Sequence, residues 1–347
     1  MNVTQKDIAK TLGVSVSLVS RALSGKWRGI GASERIIQRI VKMAKTLGYF
    51  PSVVARSLRG GPTKTIGVVV FDFDDPFFNP VISQIQQEAH QRRLSTVLVG
   101  FEHWKIESRD TEALFRYCLD AAIVVGSGTV EGWIEPFLSR GTRVIQIGGG
   151  KSSRGIIQLA VDNARDMALI ARHLLGMGHQ RFGFVGNRTI VFEERCQLLY
   201  RELERTGLKR ADIYSEMVEA PVSESGYHAR LSMIKKHSKC LPIAIVAASD
   251  AVAIGAMRAI HKAELNVPGD ISLTGFDDIV AAKLSVPPLT TIRHPISETV
   301  GKAMELASAK STARCSSSRV LMDLVLVMRE STAPVSSRIG DQYLVVA

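Results

Sequence analysis

From Thr65 to Glu330 the chain repeats one pattern, an apolar run of four to six residues followed by a longer stretch with helical spacing. The runs are Ile66–Phe71, Thr96–Gly100, Ala121–Val125, Val144–Ile147, Ile156–Val161, Phe182–Val185, Pro242–Ala247 and Ile271–Gly275. Helices are expected between them, for example at Val81–Arg93, Arg165–Gly176 and Asp250–Ala263. A helix between two strands returns the chain to the same end of a sheet, so the strands pair in parallel with helices on both faces. Eight or more such strands suit two doubly wound lobes better than one sheet. Ligands of such sheets bind beyond the carboxyl ends of the strands, here in the cleft between lobes.

The first sixty residues follow a different rule. They hold eleven Lys and Arg against two acids, Asp7 and Glu34, a local charge of +9 in a chain whose total is +11. So much basic charge in so short a segment predicts a polyanionic partner. The charges are interleaved with apolar residues at helical spacing, which implies a folded module. Thr4 with Asp7 forms a near capping box for a first helix carrying Ile8, Ala9 and Leu12, and Gly13 ends it. Ser15 caps a second helix, Val16 to Leu23, with Val19 and Ala22 inward. Ser33 opens a third, Glu34 to Leu47, whose apolar residues are Ile36, Ile37, Ile40, Val41 and Ala44.

Two short helices joined at Gly13-Val14 and followed by a third predict a helix-turn-helix headpiece. Its second helix enters the major groove by its N-terminal end. Val16, Ser17 and Arg21 are the expected base readers: Arg21 can donate twice to guanine and Val16 can pack on a thymine methyl. Thr4, Ser15, Ser20 and Tyr49 suit phosphates, with Ser15 equally suited to capping alone.

At this point the residues carry a resemblance. Val3-Thr4 with Asp7-Ile8-Ala9, Gly13-Val14-Ser15, Val19-Ser20-Arg21, Leu47-Gly48-Tyr49 with Pro51, and Ala55-Arg56-Ser57-Leu58 resemble the headpiece and hinge of the lactose/galactose repressor family of bacterial transcription regulators. The likeness continues through Asp75-Pro76-Phe77, Val161-Asp162-Asn163, Gly178-His179, Ser249-Asp250, Gly275-Phe276-Asp277-Asp278, Pro288-Leu289-Thr290-Thr291 and Arg329-Glu330-Ser331. It implies an all-α helix-turn-helix domain at 1–50, a hinge helix and linker at 51–62, and a two-lobed α/β domain at 63–332 with doubly wound parallel sheets like the periplasmic sugar-binding proteins. A C-terminal extension occupies 333–347. Ala55, Arg56, Leu58 and Arg59 become minor-groove residues, Leu58 the wedge that kinks the duplex at the centre of a palindrome.

The resemblance also implies a small, sugar-like effector between the lobes. A polyol needs carboxylates to accept, an arginine to donate and an aromatic face. Arg195 and Asp277 match the main effector positions. Asp72 or Asp74, Phe77, Ser249, Asp250 and His294 match other pocket positions, Asp250 doubling as a helix cap, and Trp104 is a further candidate. Three departures stand out. Ser249 replaces a usual asparagine, Gly148-Gly149-Gly150 replaces a polar pocket residue, and Lys26-Trp27-Arg28-Gly29-Ile30-Gly31 lengthens the link between the second and third helices.

Other classes are disfavoured. The sequence holds no GxxxxGK[ST], HExxH or GxSxG motif, so no enzyme is expected. Four scattered cysteines, none in CxxC spacing, predict neither a disulfide framework nor a zinc site. No metal and no cofactor is expected. The longest apolar runs fall far short of the ~18 residues that cross a bilayer, and the N-terminal residues lack a signal-peptide core. The expectation is a cytoplasmic, nucleoid-associated, homodimeric repressor of a carbohydrate-use operon, binding double-stranded operator DNA and no membrane. A sugar-binding protein without a DNA role is the alternative.

Overall fold

The computed structural model describes residues 3–28, 31–49, 62–100, 114–126, 132–148, 154–219, 222–237, 241–309 and 318–335. The chain forms two compact units, Met1–Thr63 and Lys64–Ala347. The hinge residues Ala55, Arg56, Leu58 and Arg59 and the loop residue Trp104 lie outside the described residues.

In the first unit three helices surround one small core: α1 (Gln5–Leu12), α2 (Val16–Leu23) and α3 (Glu34–Thr46). The capping box is present, with Thr4 Oγ1 accepting from Asp7 N and the Asp7 carboxylate accepting from Thr4 N at 2.8 Å. Gly13 takes a left-handed φ of 64° and stops α1 without the strain a Cβ would bring. Ser15 Oγ accepts from Leu18 N at 3.2 Å. Ile8, Ala9, Val19, Ala22, Ile37, Ile40 and Ala44 are buried against one another. Two expectations need correction. Ser33 sits at the N-cap of α3 but its side chain makes no capping hydrogen bond. Val41 faces outward, 37% exposed, because α3 buries one narrow stripe against two short helices and Val41 lies off it.

The second unit contains the two parallel sheets. In the first lobe β1 (Thr65–Val70), β2 (Ser95–Gly100), β3 (Ala121–Val125), β4 (Arg143–Ile147), β5 (Ile156–Val161) and a late strand, β11 (Ser318–Met322), run in the order β11-β5-β4-β3-β1-β2. Helix α4 (Phe78–Gln91) and the short α5 (Glu135–Ser139) follow β1 and β3. Every pair in this sheet is parallel. The second lobe begins with α6 (Asn163–Gly176), then β6 (Phe182–Asn187), α7 (Ile190–Arg205), β7 (Ile213–Val218), α8 (Val222–Lys236), β8 (Ala244–Ala247), α9 (Asp250–Lys262) and β9 (Ser272–Thr274). Its sheet is also parallel, ordered β7-β6-β8-β9. The short α10 (Val280–Leu284) leads to β10 (Thr291–Arg293), which pairs antiparallel with β12 (Val325–Val327).

Helix α11 (Ile296–Ser308) returns to the first lobe and packs on α4, β3 and β4. The chain thus passes between lobes at residues 161–163, 293–296 and 322–325. In both sheets the first and third strands are neighbours and the second lies outside them. The winding direction therefore reverses beside β1 in one lobe and beside β6 in the other, which opens a crevice at their carboxyl ends.

Candidate functional site

The loops at those carboxyl ends carry the ionisable residues of interest. Asp75 follows β1, Ser249 and Asp250 join β8 to α9, Asp277 follows β9 and His294 follows β10. Arg195 reaches the same place from the second turn of α7, which is started by Thr189 capping Phe192 N.

Arg195 is the centre of the group. It is buried; its Nε donates to Asn163 Oδ1 at 3.1 Å and its Nη1 to the Ala248 carbonyl at 2.7 Å. Its guanidinium carbon stands 3.5 Å from the centre of the Phe276 ring, a stacked cation–π contact. Burial works against its charge, and the carboxylates of Asp277, Asp166, Glu194 and Asp75 support it. Asn163 is itself held, donating from Nδ2 to Glu194 Oε2 at 2.8 Å.

The carboxylates around this one cation are short of compensation. Burial pushes Asp277 well above the ordinary carboxylate range despite Arg195 nearby. Burial likewise raises Asp75 to about 6 and Asp166 to about 7. The Oδ2 of Asp166 has no hydrogen-bond partner among the described residues. His294 is driven down to about 4 by burial and by Arg195, so it is neutral near pH 7. Its ring lies edge-on to Phe77, centroids 5.3 Å apart. One guanidinium, buried carboxyls, a neutral imidazole and aromatic edges together offer donors, acceptors and an apolar face, the inventory a polyhydroxylated molecule demands.

Asp250 is fully buried, and both its oxygens are engaged within the chain. Oδ1 accepts from Thr291 Oγ1 at 2.5 Å and Oδ2 from Ile279 N at 2.8 Å, while its own N–H donates to the Phe276 carbonyl at 2.7 Å. Gly275 leaves room for this, since a Cβ there would stand 2.2 Å from Asp250 Oδ1. Asp278 accepts from Arg293 Nε at 2.6 Å and from Arg329. The loop carrying Asp277 is therefore fastened on both sides. It holds Asp277 and Asp278 at φ of 111° and 57°, a left-handed region that non-glycine residues seldom enter without such support.

Among the sequence-derived candidates, Arg195, Asp277, His294 and Phe77 converge. Ser249 caps α9, its Oγ accepting from Val252 N at 3.4 Å. Asp72 and Asp74 share the loop after β1, where Asp72 Oδ1 accepts from Asp74 N at 2.9 Å. Sequence reasoning did not single out Asp75, Asn163, Asp166 or Phe276 as site residues, although Asp75, Asn163 and Phe276 stand inside the motifs that carry the family resemblance. A separate open cavity of about 420 Å³ lies between α7 and β7, bounded by Arg188, Glu193, Cys196 and Ser215, and shares only Glu194 with the Arg195 cluster.

In the headpiece Val16, Ser17 and Arg21 are exposed along α2. Thr4 Oγ1 is occupied by Asp7 Oδ2 at 2.7 Å. Ser20 is half-buried, and Tyr49 packs against the core.

A three-helix unit with an open second helix, carried in one chain with a two-lobed parallel α/β unit, defines a ligand-binding protein with a helix-turn-helix module. Residues 171–332 match the family described as periplasmic binding protein-like domain. The chain is 30% identical over 312 residues to the HTH-type transcriptional regulator GalR of Escherichia coli (strain K12), covering 88% of each. It is also 30% identical over 301 residues to the ribose operon repressor of the same organism, covering 85% of this chain and 89% of the relative. A crystal structure of the lac repressor dimer bound to operator and the anti-inducer ONPF has a TM-score of 0.79 at 22% identity, covering 96% of this chain and 100% of that one. The chain belongs to the LacI/GalR family of helix-turn-helix transcription regulators. No helix among the described residues is long and apolar enough to cross a membrane.

Proposed function

We propose that this protein is a cytoplasmic, homodimeric repressor whose affinity for a pseudo-palindromic operator is set by an uncharged sugar-like effector held at the Arg195 cluster. The observation that carries the effector half is the buried guanidinium of Arg195, braced by Asn163 and Ala248 beside the Asp277 and Asp75 carboxyls. The relatives support the DNA half, since one is named an HTH-type transcriptional regulator and another a repressor of the ribose operon. Asp277 and Asp75 accept ligand hydroxyls, Arg195 donates, and Phe77 and His294 line the apolar side. Asp72, Asp74 and Ser249 border the same cleft, and Asp250 acts by holding the Asp277 loop. We place the dimer face on the lobes, near Val81–Arg93 and Asp110–Leu119, and the exposed Val280, Leu284 and Val286 support its extension on the second lobe. Ligand binding shifts the lobes about their three crossings, and residues 51–62 transmit that shift to the headpieces as a change in hinge folding.

The test is an electrophoretic mobility assay of the full chain on genomic fragments, with and without a panel of neutral sugars. A preferred fragment whose retention changes with one sugar supports the reading, and equal retention of all fragments under all conditions overturns it. On that fragment, Arg21→Ala is expected to relax the preference at one base pair in each half-site, costing about 1–3 kcal/mol there. Binding measured on single-base variants checks this, and an unchanged base profile removes Arg21 as a reader. Leu58→Ala is expected to weaken specific binding by about 2 kcal/mol and leave random-sequence binding intact. Equal losses on both duplexes would refute the wedge.

A further inference from the structure

The connection between α2 and α3 has no task in the function proposed above, yet its first half is held in place. Gly25 takes a left-handed φ of 72° after α2. Gly25 N donates to the Ala22 carbonyl at 3.3 Å, and Lys26 N reaches back to the Arg21 carbonyl at 3.0 Å. This closure satisfies the last carbonyls of the reading helix and fixes the direction in which the chain leaves it. Trp27 comes next, half-buried against the headpiece core. Lys26 and Arg28, on either side of that ring, are both exposed, and neither forms an ion pair among the described residues. The two acids of the headpiece lie elsewhere, Asp7 bound to Thr4 and Glu34 in the first turn of α3.

Two exposed cations set one residue either side of a packed indole repel each other and the +7 charge carried by the rest of the first sixty residues. Cations held at a fixed spacing on a basic surface attract a polyanion. We propose that Lys26-Trp27-Arg28 is a phosphate clamp for duplex DNA: Trp27 anchors the turn, and Lys26 and Arg28 lie along the backbone beside the groove that α2 enters. The inference rests on the operator-binding reading. The partner is the phosphate backbone and not a base edge, because the two side chains lie outside α2, the helix that carries the base readers Val16, Ser17 and Arg21. Trp27 is a positioning residue and touches no DNA in this scheme.

The experiment is fluorescence anisotropy of the full-length protein on a random-sequence duplex, across about 50–200 mM salt. The double variant Lys26→Ala with Arg28→Ala leaves the core untouched. Its plot of log affinity against log salt is expected to be shallower than wild type by about 0.9 for each phosphate no longer neutralised, with base preference unchanged. Trp27→Ala keeps both charges but frees the turn. Its loss of affinity is expected to be less than additive with the charge double variant, and Trp27→Phe to restore most of it. An unaltered slope in the double variant overturns the clamp, and strict additivity overturns the anchoring role of Trp27. A wild-type chain that binds no duplex at any salt sinks the operator-binding reading instead.

Discussion

Arg195→Ala is expected to abolish every response to a cleft ligand and to destabilise the second unit by about 3–5 kcal/mol at neutral pH. Its cation acts on Asp277, Asp166, Glu194 and Asp75 together. Without it the Asn163 amide and the Ala248 carbonyl lose their donors, and the buried carboxyls lose their counter-charge. The cost depends on pH. Arg195 pulls Asp277, Asp166 and Asp75 down, so removing it lets their folded-state values rise further above the unfolded 3.8. A carboxyl with a raised folded value contributes stability at low pH that is lost as pH rises through that value. The variant should therefore approach wild type near pH 5 and fall furthest below it above pH 7, as read by urea denaturation. Arg195→Lys restores a charge, but an ammonium cannot donate to Asn163 and Ala248 while stacking flat on Phe276. Recovery of stability without recovery of ligand response is the expected outcome. A normal ligand-induced shift in Arg195→Ala would place the effector elsewhere.

The central strands could be read from sequence because both faces of a parallel sheet are covered. Ala121–Val125 is buried at every position and reads as an unbroken apolar run. The edges were legible only in part, since β2 and β9 match expected runs whereas β7 and β11 do not. β7 (Ile213–Val218) has an outer face in contact with solvent and mixes apolar with polar residues, and β10, β11 and β12 are short strands at sheet margins or lobe crossings. The same logic governs the site. Asp277 is legible because it sits in one of the ordered motifs of the second unit, and Arg195 because it matches a main effector position of the family. Which aspartate of Asp72-Phe73-Asp74-Asp75 turns inward depends on how the loop closes. Asp72 accepts from Asp74 N and Asp75 from Phe77 N, which leaves Asp75 buried toward Arg195, and no local composition encodes that choice. Asp166 was not legible either, since on α6 it resembles any polar residue of an amphipathic helix until α7 brings Arg195 over it.

Asp250 is not the helix cap the sequence suggests, since Ser249 takes that position and Asp250 is the first helical residue. Its carboxylate ties the start of α9 to Ile279 and Thr291, and so sets where Asp277 can stand. Asp250→Ala leaves the buried Ile279 N–H and Thr291 hydroxyl without their acceptor, at about 1–3 kcal/mol each. A loss of roughly 3–4 kcal/mol in urea unfolding is expected, together with a weakened ligand response, because the left-handed Asp277 and Asp278 lose the tie on one side. Asp250→Asn is the sharper variant. It keeps one acceptor, so its stability loss should be smaller, and it removes a titration. Burial raises Asp250 to about 7 in the folded chain against 3.8 unfolded, so its contribution to stability declines as pH climbs between those two values and is gone above them. Asp166, also near 7, adds to that decline, whereas His294, lowered to about 4 from an unfolded 6.5, opposes it below about pH 6.5. Between pH 5 and 7 the stability of Asp250→Asn, read by urea unfolding, should thus fall less steeply than that of wild type. A direct ligand contact would instead cost Asp250→Asn its ligand affinity at every pH, beyond what the loss of stability explains, and that result would move Asp250 from the frame of the site into its lining.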